Sequence, residues 1–346
     1  MLKINVERSN GSYPIFIGFD LLKKAEDIFT FYKFKGKILL ITTPEFEKKY
    51  RSYIRGCLKP YKGNIYIKVY ADAESAKHLH TIDEIIWFLL KKKFDQHSVI
   101  ISFGETALHE IAGFAANMFL NGIAHIIIPT SLEAQLKSTV AAKVRLNHQE
   151  QIHALSLEGK PTFVWNDLKF IQSDSKPALA AGLIEAIRVA IIWDEKLFEF
   201  IEKHLAEIYR CDLKSLLFIV HKVCLFKADI LSKYRIRTSA AKFLYFGEVV
   251  RHILLINQRS WELSTLEATF LGPFVEAILA HQFGYLKATD YKRIEKLMLR
   301  LGLKISLSKV DFNQLSHILD HAANQYDQFA FPKKIGVGIL VNRKLT

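Results

Sequence analysis

Apolar and polar residues alternate at the start of the chain and then give way to nearly continuous apolar runs. Leu2 to Val6 and Tyr13 to Ile17 alternate on either side of the Asn10-Gly11 turn signal, which predicts a β-hairpin. The later runs are typical of strands covered on both faces. Helical patterns separate them, so we expect a Rossmann-like parallel sheet that begins with a hairpin. These runs occupy residues 36–42, 65–69, 98–103 and 123–128.

The second half of the chain has a different pattern. From about residue 173 it consists of long amphipathic segments, and the next strand-like run is Val337 to Val341. Lys176 to Trp193 is the clearest helix, because Pro177 stands in its first turn and apolar residues follow. We therefore predict a Rossmann-like α/β domain at residues 1–170 and an all-α domain at residues 171–346.

The composition is that of a globular protein with room for two cores. Half of the 346 residues are hydrophobic and 12% are aromatic, which excludes a disordered polymer. No apolar run is long enough for a membrane span, and the N-terminal residues lack the apolar region of a signal peptide. We expect a cytoplasmic protein without a membrane partner. Cys57, Cys211 and Cys224 are scattered, so neither a disulfide framework nor a thiolate metal site is indicated.

The formal net charge of +13 raises the question of an acidic partner. Positive residues are spread along the chain, with short clusters at Lys91–Lys93 and Lys333–Lys334. Such a distribution is typical of a solvated basic surface. It argues against a nucleic-acid-binding protein.

The segment at residues 129–148 reads PTSLEAQLKSTVAAKVRLNH and is the first candidate site. It follows the strand predicted at 123–128 and continues as a polar, helix-like segment with a basic tail. In an open α/β sheet the ligand lies beyond the carboxyl ends of the strands. Thr130 and Ser131 come directly after the strand, so we expect their hydroxyls at a binding cleft.

This segment resembles the corresponding part of 3-dehydroquinate synthase, the sugar-phosphate cyclase of the shikimate pathway of aromatic amino acid biosynthesis. Lys143 and Asn147 stand at family positions, whereas Lys137 and Arg145 replace an aspartate and a glycine. Similar segments follow along nearly the whole chain. The resemblance implies the two-domain fold of that family, and it suggests a homodimer.

The resemblance also implies an NAD site in the first domain. Its cofactor positions are Glu74, Lys77, Gly104 and Thr130. For Glu74 and Lys77 an alternative remains open, because residues three apart at a helix start can simply form an ion pair.

Two departures argue against NAD in the usual place. Thr43 stands near the position of the family's aspartate, and a hydroxyl cannot replace a carboxylate that accepts from both ribose hydroxyls. Gly104 is the remaining member of three leading glycines, and Glu105 brings bulk and negative charge to a phosphate cradle. We therefore expect no NAD there.

The metal site of the resemblance is altered as well. Glu185 keeps the family's carboxylate ligand, but Glu248 and Thr265 replace two histidines. Zinc prefers nitrogen and sulfur ligands, and an oxygen set suits magnesium or manganese better. Ion pairs of Glu185 with Arg188 and of Glu248 with His252 are the alternatives. We expect that the protein carries no zinc.

Catalytic and substrate residues are implied on both domains. The family reaction removes a hydride with NAD, expels phosphate, returns the hydride and closes a ring, with a metal as Lewis acid. The implied catalytic residues are Lys143, Lys227, His252 and Arg188, and the implied substrate residues are Asn147 and Glu267.

Three hypotheses remain open at this stage. The chain is a degenerate, regulatory or anion-binding homologue without cofactors, a diverged cyclase or carbon-oxygen lyase for a phosphorylated or carboxylate substrate, or an active 3-dehydroquinate synthase. We expect a small anionic ligand between the two halves, because cations are kept or added around the substrate positions. Carboxylates that neutralise these cations are the alternative. The cations are Lys137, Lys143, Arg145, Arg188 and Lys227, and the carboxylates are Glu185, Glu248 and Glu267.

Overall fold

The computed structural model describes residues 1–8, 11–61, 63–140, 143–149, 151–233, 239–256, 261–303 and 328–342. They belong to two compact units. The first unit contains Met1–Asp174 and Leu216–Ser232, and the second contains Ser175–Ser215 and the described part of Lys233–Thr346. Residues 216–232, which the sequence assigns to the helical half, are therefore part of the first unit.

The strands and helices are numbered in chain order. The strands are β1 (Leu2–Val6), β2 (Tyr13–Gly18), β3 (Ile38–Thr42), β4 (Ile65–Val69), β5 (Val99–Gly104), β6 (Ala124–Pro129), β7 (Val144–His148), β8 (Gln151–Leu157), β9 (Phe163–Asp167), β10 (Gln328–Lys334) and β11 (Val337–Asn342). The helices are α1 (Ala25–Phe31), α2 (Pro44–Cys57), α3 (Leu79–Lys91), α4 (Thr106–Met118), α5 (Leu132–Lys137), α6 (Leu168–Ile171), α7 (Lys176–Trp193), α8 (Glu195–Tyr209), α9 (Leu213–Lys233), α10 (Glu248–Ile256), α11 (Thr265–Gln282) and α12 (Ala288–Arg300).

Within the described residues, the first unit is built on a seven-stranded sheet in the order β1-β2-β9-β6-β5-β3-β4. β1 and β2 form the antiparallel hairpin that the alternating pattern predicts. Every other neighbouring pair in this sheet is parallel. The Rossmann-like fold with an N-terminal hairpin is confirmed, and the carboxyl ends of β3, β5, β6 and β9 share one edge.

Side chains of β5 show why the central strands are apolar at nearly every position. Phe103 projects into an aromatic layer, where its ring lies 4.9 Å from that of Phe170 and 5.8 Å from that of Tyr50. Ile100 projects to the opposite face and belongs to an aliphatic layer with Ile111 of α4. A strand covered on both faces needs no polar alternation.

The region after α5 differs from the prediction of a continuous polar helix. α5 ends at Lys137, and β7 pairs with β8 as a separate antiparallel sheet. Val144 and Leu146 are buried in the aliphatic layer, while Arg145 and Asn147 alternate with them and are half-buried. This period of two is the sequence signal for the strand.

The second unit is helical, as predicted, with the addition of an antiparallel hairpin formed by β10 and β11. α7 is buried at every position from Leu179 to Ile192, which explains why it is apolar all around rather than amphipathic. Glu185 and Arg188 are the charged residues of that buried stretch. None of the described helices is both long and apolar enough to cross a bilayer.

α10 and α11 approach each other closely through two glycines. Gly247 has φ of 79°, a conformation that side chains disfavour. A Cβ on Gly272 would overlap the carbonyl oxygen of Gly247. The pair therefore permits a backbone contact that brings the start of α10 against the middle of α11.

Candidate functional site

Glu105 lies in the turn between β5 and α4, at the carboxyl edge of the sheet. Gly104 before it has φ of 156°, and a Cβ there would lie 2.5 Å from Cδ1 of Leu108. The Glu105 carboxylate accepts hydrogen bonds from Thr130 Oγ1 at 3.2 Å and from Ser131 Oγ at 2.7 Å. The ends of β5 and β6 are thus joined through an anionic side chain.

Further carboxylates surround Glu105. Burial raises the pKa of Glu105, and its neighbours Glu133 and Glu45 act in the same direction. Burial also raises the pKa of Asp174 to about 7, although the Leu132 N–H donates to its carboxylate at 2.9 Å. This part of the sheet edge is acidic, and Asp174 is partly protonated near neutral pH.

Lys77 is buried in the segment before α3, with 2% of its surface exposed. It forms an ion pair with Glu110 of α4. Its backbone carbonyl accepts the N–H of Asn147 on β7 at 2.9 Å. Two predicted residues, Lys77 and Asn147, are therefore brought together, with Glu110 as a third member.

The sequence suggests that Glu74 and Lys77 lie at the start of a helix. The structure has a local turn there instead. Asp72 accepts hydrogen bonds from the N–H of Ser75 at 3.1 Å and from its Oγ at 2.6 Å. Such bonds compete with helical ones. α3 consequently begins at Leu79, and Glu74 is exposed.

A basic face runs along β7. Lys143, Arg145 and Asn147 alternate with buried apolar residues, and so they lie on one side of this extended chain. Burial raises the pKa of Glu110, and Lys77 and Arg145 lower it by charge. Two cations, Lys77 and Arg145, therefore act on the Glu110 carboxylate. We call Lys77, Lys143, Arg145 and Asn147 the basic face.

Lys227 is buried and holds α9 in the first unit. Its Nζ donates to the carbonyl oxygen of Leu136, near the end of α5, at 2.7 Å. Cys224, one turn earlier, places Sγ 3.4 Å from Thr139 Oγ1 and 3.4 Å from Asn166 Nδ2. Cys224 stands three residues before Lys227 in the motif that identifies this lysine. Asn166 is not identified by a motif, because a lone polar residue in an apolar strand has no periodic signal.

Arg188 is the centre of a charge cluster in the second unit. It forms an ion pair with Glu248 and lies 3.6 Å from Glu185 on its own helix. Its Nη2 donates to the Leu244 carbonyl at 2.8 Å. Arg251 reaches the other oxygen of Glu248 at 3.2 Å. The structure thus contains the ion pair of Glu185 with Arg188 that the sequence offers as an alternative to a metal site. Glu248 pairs with one arginine of α7 and one of α10.

Glu276 of α11 joins this cluster and is not identified by the sequence motifs. Its carboxylate accepts the N–H groups of Gly247 at 2.6 Å and Val250 at 3.3 Å, at the start of α10. Burial nevertheless raises its pKa to about 8. At neutral pH Glu276 is therefore largely protonated, although Arg188 nearby lowers its pKa by charge. The sequence feature that could have identified Glu276 is a single acidic residue within an apolar helix, as for Glu185.

His252 and Glu267 are not among the residues that form ion pairs around Arg188. His252 is exposed on α10. Glu267 forms a capping box with Ser264 at the start of α11, accepting the Ser264 N–H at 2.8 Å and donating its own N–H to Ser264 Oγ at 3.2 Å. The catalytic role of His252 and the substrate role of Glu267 stay predictions.

A buried polar chain links α4 to the sheet. Ser102 Oγ on β5 lies 2.8 Å from Nδ1 of His109 and 2.9 Å from Nε2 of His125 on β6. Burial lowers the pKa of both histidines to about 3. Both rings are therefore neutral at physiological pH.

Two family models match consecutive parts of the chain. The model described as "3-dehydroquinate synthase N-terminal" matches residues 67–181, and the one described as "3-dehydroquinate synthase C-terminal" matches residues 182–324. The chain belongs to the 3-dehydroquinate synthase family. The resemblance seen in the sequence motifs is thereby confirmed.

Curated relatives within the 3-dehydroquinate synthase family align over most of their length. The chain is 28% identical over 307 residues to the 3-dehydroquinate synthase of Thermodesulfovibrio yellowstonii, covering 89% of this chain and 86% of that protein. It is 28% identical over 306 residues to the enzyme of Shewanella denitrificans, covering 88% and 85%.

Two solved structures of sugar-phosphate cyclases share the fold of this chain. A 2-deoxy-scyllo-inosose synthase complexed with carbaglucose-6-phosphate, NAD⁺ and Co²⁺ has a TM-score of 0.86 and 18% identity, covering 99% of this chain and 95% of that chain. A 2-epi-5-epi-valiolone synthase from Streptomyces hygroscopicus subsp. jinggangensis, with NAD⁺ and Zn²⁺ bound, has a TM-score of 0.82 and 20% identity, covering 95% and 92%.

The residues at the 3-dehydroquinate synthase metal positions do not fit a zinc ion. Glu185 and Glu248 are paired with arginines, and the third position is the hydroxyl of Thr265. Within the described ranges, no group of three His, Cys, Asp or Glu side chains is arranged to hold a metal ion. Zinc sites in proteins generally include nitrogen or sulfur ligands, which are missing from these positions.

The 3-dehydroquinate synthase dinucleotide turn is altered in a comparable way. A pyrophosphate is held by backbone N–H groups that approach without side-chain bulk. Here the carboxylate of Glu105 lies at the start of α4, tied to Thr130 and Ser131. An anion in that position repels a second anion, so this turn does not fit a pyrophosphate.

Proposed function

We propose that this chain is a 3-dehydroquinate synthase-like protein that has lost NAD- and zinc-dependent cyclisation and acts as an anion-binding or regulatory homologue. The ion-pair cluster around Arg188 carries the proposal. A catalytic metal needs carboxylates with free lone pairs, and the Arg188 guanidinium lies against both Glu185 and Glu248. A cation of the chain itself thus satisfies the carboxylates that a Lewis acid would require.

The burial of this cluster makes the exchange of Arg188 for a metal costly. Glu185 is 2% exposed and Arg188 is 7% exposed. Breaking a buried ion pair by removing one partner typically costs about 3–5 kcal/mol. A divalent ion would have to displace the guanidinium and leave it buried without its partners. This cost opposes metal binding at the two glutamates.

Loss of the dinucleotide has a separate basis in Glu105. Two unit charges 4 Å apart repel by about 1 kcal/mol in water and by about 4 kcal/mol at the effective dielectric of a protein surface. Since every 1.4 kcal/mol is about tenfold in affinity, the carboxylate alone lowers pyrophosphate affinity by roughly one to three orders of magnitude. A protonated Glu105 still leaves the steric obstacle of its side chain.

The basic face is the proposed anion site. Lys143 and Arg145 are half-exposed, whereas Lys77 is buried and already paired with Glu110. An arginine can bind a carboxylate or phosphate with two parallel hydrogen bonds, and a lysine adds a point charge. A small phosphorylated or carboxylate ligand therefore suits this face.

The loss of cyclisation is tested by metal analysis and by an assay of phosphate release. The purified chain is incubated with the family's sugar-phosphate substrate, NAD and added zinc, manganese or cobalt, beside the Thermodesulfovibrio yellowstonii enzyme as a positive control. We expect phosphate release by the control alone and near-zero bound metal in this chain. One equivalent of zinc with NAD-dependent turnover would establish the active-enzyme alternative, and release without NAD would establish a diverged lyase.

Anion binding is tested separately, by melting temperatures in phosphate, citrate and chloride at matched ionic strength. A ligand that binds the folded state raises the melting temperature by mass action. We expect phosphate and citrate to stabilise more than chloride, and Lys143→Ala or Arg145→Ala to remove the difference. Lys3→Ala, an exposed lysine on β1, is the matched control and should keep it. Equal melting temperatures of the wild type in all three anions would refute the anion site.

A further inference from the structure

Glu110 lies between the basic face and the interior of the first unit. It is on α4, which packs against β7, and it forms an ion pair with Lys77. The Lys77 side chain is 3% exposed, whereas that of Glu110 is 14% exposed. Arg145 of β7 also acts on the Glu110 carboxylate by charge. An anion that approaches the cations of the basic face from solvent therefore meets this carboxylate.

The charges that act on Glu110 come from the segment before α3 and from β7. Lys77 and Glu74 lie in that segment, and Arg145 lies on β7. β3 and β5, which also contact α4, carry no ionisable side chain. The other ionisable groups on neighbouring elements are either buried and neutral, as are His109 and His125, or exposed, as are Asp83 and Glu84. The surroundings of Glu110 are therefore set by two cations and one exposed acid.

We propose that Glu110 is the internal counter-ion of the basic face, so that an anion from solution binds in competition with the Glu110 carboxylate. The inference rests on the anion-binding function proposed above. A carboxylate is itself one of the anions that arginine and lysine bind, and its tether to α4 keeps it at the site. Its negative charge also repels a second anion. Glu110 therefore sets the affinity of the basic face, and its protonation makes the cations available to a ligand.

Competition with a carboxylate makes anion binding depend on pH. Burial raises the pKa of Glu110, whereas Lys77 and Arg145 lower it by charge. As the pH falls through this pKa, Glu110 loses its charge and its cationic neighbours lose their counter-ion. Anion affinity therefore rises as the pH falls. Linkage is reciprocal, so a bound anion favours the protonated carboxyl group and binding takes up a proton.

Sulfate is the probe for this test, because it stays a dianion over the whole pH range and its own titration does not contribute. Melting temperatures at increasing sulfate, with chloride at matched ionic strength as the reference, give an apparent affinity at about pH 5.5 and about pH 7.5. We expect tighter binding by the wild type at the lower pH. Glu110→Gln removes the charge and keeps an oxygen for Lys77, and it should bind sulfate about tenfold more tightly than the wild type at about pH 7.5. Calorimetry in two buffers of different ionisation enthalpy should show proton uptake by the wild type and none by the variant.

Controls separate Glu110 from general effects of charge. Glu84→Gln, at an exposed acid of α3, removes the same charge and should keep the wild-type affinity at both pH values. Arg145→Ala in the Glu110→Gln background should abolish the sulfate effect, which assigns it to the basic face. Sulfate binding without proton uptake by the wild type, or uptake that persists in Glu110→Gln, would overturn the role of Glu110 and leave the anion site standing. If neither the wild type nor Glu110→Gln binds sulfate, the proposed anion site is wrong and this inference fails with it.

Discussion

The buried chain of His109, Ser102 and His125 predicts a defined acid sensitivity of the first unit. Both rings are buried, and burial holds the pKa of each near 3, below the ordinary value of about 6.5. The unfolded chain therefore binds more protons than the folded one between these two values. The stabilising effect of keeping each ring neutral is present above pH 6.5 and is lost as the pH falls towards 3.

The magnitude follows from the shift in the pKa. One pKa unit corresponds to 1.36 kcal/mol, so the 1.5 units between pH 6.5 and pH 5 correspond to about 2 kcal/mol for each histidine. His125→Gln removes one of the two titrating groups and leaves a hydrogen-bonding side chain beside Ser102. The variant should be less stable than the wild type at pH 7, and this deficit should shrink by about 2 kcal/mol at pH 5.

Urea unfolding at pH 7, 6 and 5, followed by circular dichroism, measures this difference between variant and wild type. The difference is the useful quantity, because buried acids such as Asp174 change the stability of both proteins in the opposite direction. His97→Gln, at an exposed histidine, is the control and should follow the wild type at every pH. A deficit of His125→Gln that stays constant from pH 7 to 5 would refute the reasoning.

Three further predictions concern the second unit and its packing. Arg188→Met should lower the free energy of unfolding by about 3–5 kcal/mol, because Glu248 loses a buried partner; a loss below about 1 kcal/mol in urea would show that the pair contributes little. Gly272→Ala should cost about 1–3 kcal/mol by overpacking, whereas Gly56→Ala, with open space around it, should not lower the melting temperature. For Glu276, burial raises the pKa to about 8, so stability is lost as the pH rises from about 4.5 to 8. Glu276→Gln should therefore gain about 3 kcal/mol relative to the wild type between pH 5 and 8, and parallel pH profiles in urea would contradict this.

The fold could be predicted because its signals are local. A strand that is buried on both faces has to be apolar along its length, and the helix at Lys176–Trp193 carries its own start signal in Pro177. The sequence did not predict strand β7, because five alternating residues are a weak signal after the longer helix-like segment that precedes them. Short elements of this kind depend on what they pack against.

The candidate site could be predicted in part. The motifs drew attention to Lys77, Asn147 and Arg188, and the spacing of three residues suggested the pair of Arg188 with Glu185. The partners from distant elements were not suggested. Arg188 meets Glu248, which is 60 residues away in the sequence, and Glu105 meets a hydroxyl 26 residues away. Side chains that meet through the packing of distant elements leave no spacing to read. The sequence motifs could single out individual residues, but only the tertiary structure shows which residues contact one another.

The assignment of residues 216–232 to the first unit has a consequence for biosynthesis. When translation has reached Asp174, all strands of the seven-stranded sheet have been synthesised. The part of α9 that supplies Cys224 and Lys227 has not. The first unit becomes complete only after Ser175–Ser215 of the second has been made. Its polar groups on α5 and β9 must wait for their partners during that interval, so a chain truncated at residue 174 is an unfinished domain rather than a separable one.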